Sequence, residues 1–75
     1  MSRLPRVADR SVLRALLRAG FEIKRIRGSH HHLVDPVTGR RVTVPVHGEI
    51  LAPKTLLSIL DQAGLTPEEF TRLLE

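Results

Sequence analysis

Histidine and arginine carry the reactive chemistry of this sequence. His30, His31 and His32 are consecutive, His47 follows further on, and Arg25, Arg27, Arg40 and Arg41 bracket the run. Imidazole gives and takes protons near neutral pH, and guanidinium holds phosphate oxygens. Side chains on a strand alternate, so His30 and His32 project to one face and His31 to the other, and His47 is expected on the same face as Arg41 and Thr43. Three readings of this pattern stand side by side. His30 and His32 can chelate a metal with His47 as a third nitrogen, although the nearest carboxylates, Asp35 and Glu49, sit on turns. The run can be a polar strand face and no more. It can also do acid-base chemistry on a phosphate.

Other chemistries lack their parts. There is no paired-carboxylate cluster for a two-metal nuclease, no phosphate-binding Walker loop, and no cysteine. RNA cleavage asks for less, because the 2′-hydroxyl is a nucleophile already in the substrate. A base, an acid and cations for the charge on the phosphorus complete the set.

The 75 residues form one domain, 1–75, and the absence of cysteine excludes disulfides and fits a reducing compartment. No apolar run approaches the ~18 residues of a membrane helix and the N-terminus lacks a signal-peptide core, so a soluble, cytoplasmic protein with no membrane partner is expected. The net charge of +4 divides unevenly: residues 1–41 hold ten Lys and Arg against three Asp and Glu, and residues 42–75 hold two against five. A polyanion on one surface and a different contact on the other would explain that division. Phe21 and Phe70 are the only aromatics, too few for a platform that stacks single-stranded bases.

The elements that must position these groups follow from periodicity. Residues 1–7, with Pro5, read as a short arm. Asp9 or Ser11 caps a helix whose apolar stripe is Val12, Leu13, Leu16 and Leu17, ended by Gly20. Arg10, Arg14 and Arg18 form a second, basic stripe on that helix. From Phe21 the period becomes two, then slips at Arg25-Ile26-Arg27, where a bulge or the strand end is expected, followed by a tight turn at Gly28. A second strand runs from about Ser29 to Val34, and Asp35-Pro36-Val37-Thr38-Gly39 makes a hairpin turn. The third strand, Arg41 to Val46, points Val42, Val44 and Val46 to the core and Arg41, Thr43 and Pro45 to water. Pro45, with no N–H, belongs on an edge or a strand end. Pro53 opens a helix with a Leu56, Ile59, Leu60, Ala63 stripe ended by Gly64, and Thr66-Pro67-Glu68-Glu69 is a capping box opening a last short helix with Phe70, Leu73 and Leu74. The order α-β-β-β-α-α gives an α+β fold: a three-stranded antiparallel sheet with helices on one face.

The ordered set Gly20-Phe21, Gly28-Ser29-His30, Val44-Pro45-Val46-His47 and Ile59-Leu60-Asp61-Gln62-Ala63-Gly64-Leu65 resembles the HicA family of toxin mRNA interferases over nearly the whole chain. The resemblance implies a small double-stranded-RNA-binding-like fold and an endoribonuclease of a type II toxin-antitoxin system. It also implies cleavage of mRNA through the histidine of Gly-Ser-His, here His30, and inhibition by a HicB antitoxin. In the family the positions of His31 and His32 vary, so the run is not a triad. Lys54 stands where many members have glycine before the helix threonine, which affects the helix entry.

Residue roles follow as expectations. His30 is the general base or acid, and His47 or His32 is a possible second group. Ser29 and Gly28 shape the turn and offer a hydroxyl or N–H to phosphate, and Arg25, Arg27 and Arg41 contact phosphate, with Arg10, Arg14 and Arg18 as a wider electrostatic footprint. No cofactor and no metal is expected. The alternatives are a non-catalytic RNA-binding module acting by occupancy, and a pure protein-interaction domain.

Overall fold

The alternating valines of the third strand set one face of the sheet, and the rest of the fold is built on that face. The computed structural model describes Leu4 and residues 6–74. Its elements are α1 (Asp9–Arg18), β1 (Glu22–Arg27), β2 (His30–Val34), β3 (Arg41–Pro45), α2 (Pro53–Ala63) and α3 (Pro67–Leu73). This is the expected α+β order, with an open antiparallel sheet in which β2 lies between β1 and β3. Of the expected arm, residues 1–3 and 5 lie outside the described residues.

Val42 pairs with Leu33 and Val44 with His31, so these four side chains share the face on which α1 and α2 pack. Val42, Val44 and Leu33 are buried there with Val12 and Leu16 of α1, Leu56, Ile59 and Leu60 of α2, and Phe70 of α3. The α2 stripe is the one the spacing predicts. The α1 stripe differs by one position: Ala15 is in the core and Leu17 is 40% exposed. The small alanine lets the helix backbone approach closely, and that rotation turns Leu17 outward.

The first strand is longer than its broken alternation suggests. Glu22 pairs with Val34 and Ile23 with Leu33, but Arg25, not Lys24, pairs with His32, so one extra residue is inserted between Ile23 and Arg25. This bulge resets the phase. Ile26, which would otherwise face water, returns to the helix-covered side opposite His31, and Arg25 and Arg27 face the other way. The expected irregularity is present, one residue earlier than the slip in the pattern, and Phe21 precedes the strand as a buried core residue.

Turns and caps complete the frame. Gly28 at φ 56° and Ser29, whose φ is negative, join β1 to β2; a two-residue hairpin with glycine first fits strand twist. Gly64 ends α2 in the left-handed region at φ 72°, and a Cβ there would meet the Arg40 guanidinium carbon at 2.6 Å. The Thr66–Glu69 capping box opens α3 as expected, with both reciprocal bonds made.

Asp9 departs from its expected role. Ala8 is the N-cap of α1 and Asp9 the first helical residue. Its carboxylate is fully buried and reaches across the chain to the segment after β3. Oδ2 accepts the backbone N–H of His47 (2.7 Å), Gly48 (3.0 Å) and Glu49 (3.1 Å), while Oδ1 accepts that of Arg10 (2.7 Å). Burial alone would raise the carboxyl pKa. The amides of Glu49, His47, Arg10 and Gly48 outweigh it, and the pKa lies below the ordinary carboxylate value. Backbone pairing extends the latch, through the Ala8–Ile50 bridge and the Leu51 N–H donated to the Val7 carbonyl at 3.0 Å.

Candidate functional site

The sheet face opposite the helices collects the titratable and cationic groups, and β-sheet register decides which of them meet. His30 lies between Arg27 on β1 and Pro45 on β3, and His32 between Arg25 and Thr43. Directly opposed residues on one face have Cβ atoms about 5 Å apart. Each histidine of this face is therefore beside a guanidinium, and Arg41 joins them from β3 opposite Val34.

A concavity of about 550 Å³ opens around Lys24, Arg25, His32, Arg41 and Thr43. Its cations come from both outer strands. Lys24, the extra residue of the bulge, lines the hollow beside Arg25. Lys24 is a site residue that sequence reasoning missed, and the signal that pointed to it was the broken alternation. At the wall of the hollow, Thr43 Oγ1 lies 3.1 Å from His32 Nδ1, which orients the ring and leaves Nε2 as the nitrogen that can meet a ligand. His30 is exposed beyond the hollow, at the β1–β2 turn end of the sheet.

The remaining expected residues are placed elsewhere. His31 is on the helix-covered face, half-buried, with Nδ1 3.3 Å from the Ser29 carbonyl oxygen. Ser29 is half-buried in the turn, and its carbonyl also accepts the Val46 N–H at 2.8 Å. His47 lies past the end of β3, not in the sheet, with its exposed side chain carried on the segment that Asp9 grips. The strand period that placed His47 beside Arg41 and Thr43 ends at Pro45, two residues before it. Arg10, Arg14 and Arg18 stay with α1 in the helix layer and do not join the concavity. Arg18 Nη1 donates to the Leu73 carbonyl at 2.7 Å and so ties α1 to the end of α3. Among the described residues, no group of three His, Cys, Asp or Glu side chains is arranged to hold a metal ion, and no helix is long and apolar enough to cross a membrane.

A small α+β domain with an open sheet, one face under helices and the other lined by histidine and arginine, fits the class of bacterial toxin that works as half of a toxin-antitoxin pair. The family model described as the HicA toxin of bacterial toxin-antitoxin systems matches residues 10–65. The chain belongs to the HicA toxin family. No curated protein sequence matches it.

Proposed function

We propose that this HicA toxin is an endoribonuclease that cleaves mRNA by histidine acid-base catalysis on the open sheet face, without a metal, in the cytoplasm, and that a HicB-type antitoxin holds it inactive. The observation that carries the reading is the pairing of His30 with Arg27 and of His32 with Arg25 on one exposed face. In this mechanism the imidazole of His30 removes the proton from the ribose 2′-oxygen, which attacks the adjacent phosphorus. The P–O5′ bond breaks and the departing 5′-oxygen takes a proton from a second acid. The products are a 2′,3′-cyclic phosphate and a 5′-hydroxyl. Arg25, Arg27, Arg41 and Lys24 hold the phosphate oxygens as negative charge builds.

His32 is better placed than His47 as the second group. It shares the face with His30, and Thr43 holds its ring. The test is purified toxin on RNA with and without EDTA, alongside His30→Ala and an RNA carrying a single 2′-deoxy nucleotide at the cleaved position. Cleavage that resists EDTA, and disappears with either change, supports the mechanism. Loss of cleavage in EDTA with recovery on adding a transition metal replaces it with metal chemistry. RNA binding without product, unaffected by His30→Ala, replaces it with repression by occupancy.

A further inference from the structure

The two edges of the sheet are treated oppositely. On β3 the Thr43 N–H is taken by Gln62 Oε1 of α2 at 3.2 Å, and the next position of the same phase is Pro45, which has no N–H to offer. A further strand therefore finds few donors there. Among the described residues β1 pairs with β2 alone, and it is exposed at all six residues, Glu22–Arg27.

The exposed side chains of β1 divide by face. Ile23 (42% exposed) and Ile26 (54% exposed) lie on the helix side, where α1 and α2 pack chiefly over β3 and leave them uncovered. Arg25 and Arg27 lie on the open face. A strand added to this edge presents alternate residues to the two faces. Its side chains must then be apolar where they meet Ile23 and Ile26 and acidic where they meet the arginines. A second copy of β1 suits the edge less well, because in the antiparallel register that matches Ile23 with Ile26 the cations Lys24 and Arg25 meet each other. RNA finds no use for the two isoleucines on an edge that has no aromatic side chain.

We propose that the outer edge of β1 is the docking site for an extended segment of the antitoxin, with apolar and acidic residues alternating, that joins the sheet as a fourth strand. Its carboxylates would neutralise Arg25 and Arg27 beside His30 and His32, so the phosphate cradle would be disarmed without contact to either imidazole. The proposal rests on the toxin-antitoxin partnership and is independent of whether the face cleaves RNA, so the two readings fail separately.

The test uses the full chain in complex with a HicB-type antitoxin protein. Hydrogen exchange is expected to slow across Ile23–Arg27 in the complex. Ile23→Ser with Ile26→Ser is expected to weaken binding by about tenfold or more, while the circular dichroism and RNA cleavage of the free variant stay as in the parent. Protection confined to α2 or to the β2–β3 hairpin, undiminished affinity of the double variant, or no complex with that protein each overturns it. Protection of the same amides by an RNA oligonucleotide assigns the edge to RNA and overturns it too.

Discussion

Replacing Asp9 by asparagine tests the latch that joins α1 to the segment after β3. The carboxylate accepts three N–H groups on Oδ2 and one on Oδ1, all between 2.7 and 3.1 Å. Asparagine keeps one oxygen, which can serve the three amides of residues 47–49, but turns an NH₂ toward the Arg10 N–H. Hydrogen bonds to an ionised partner contribute about 1 kcal/mol more than neutral ones, so losing the charge and one acceptor costs about 2–3 kcal/mol. A chain of this length has a total stability of roughly 4–11 kcal/mol. The melting temperature should fall by about 10–20 °C. The pH profile separates this cause from a general loss of packing. The folded pKa of Asp9 is depressed, so its contribution is fully present above the unfolded value of ~3.9 and is lost as pH falls through the folded value. Melting followed by circular dichroism from pH 7 down to about 2.5 should therefore show the gap between parent and variant narrowing below pH ~4. A variant as stable as the parent at pH 7, or a gap of constant size down to the lowest pH, would refute the reasoning.

Other perturbations have distinct expected outcomes. His30 is exposed, so His30→Ala should abolish RNA cleavage while leaving the melting temperature within about 2 °C; retained cleavage removes it from the mechanism. Arg25→Gln with Arg41→Gln should weaken RNA binding and lower the slope of log affinity against log salt by about 2, read by fluorescence anisotropy; an unchanged slope places the RNA elsewhere. Gly64→Ala must hold φ near 72° with its Cβ against Arg40, and should cost about 1–2 kcal/mol in urea denaturation; no loss would mean that the α2 end rearranges freely. Phe70 is fully buried, and Phe70→Ala should cost about 3–5 kcal/mol, enough to leave much of the chain unfolded at 37 °C; a cooperative melt near that of the parent contradicts the placement of α3 in the core.

Much of the fold was legible because its signals are local. The valine alternation of β3, the Leu56-Ile59-Leu60-Ala63 stripe and the Thr66–Glu69 box each specify an element within a few residues, and each element is present, β3 ending one residue before the expected Val46. The alternation rule also separated His30 and His32 from His31, because strand period is a property of the backbone. The divided charge pointed to a basic surface, and the open sheet face carries Arg25, Arg27 and Arg41.

What the chain order cannot encode locally, tertiary structure decided. A bulge is set by which residues pair across the hairpin, and only the register with β2 shows that Lys24 is the extra residue and that it reaches the hollow of His32. Asp9 looked like a helix cap because that role needs only its neighbours; its partners at His47, Gly48 and Glu49 are distant in sequence, and burial makes the carboxylate seek them. The same holds for the sheet edges. Pro45 pointed to an edge or a strand end from sequence alone, but that Gln62 closes that side while β1 stays open depends on where the helices settle. Sequence determined the elements, the facing of the three consecutive histidines and the family, since these rest on short-range period and residue type. Which charges meet, which loop is held and which edge is left for a partner depend on long-range contacts, which exist only once the chain has folded.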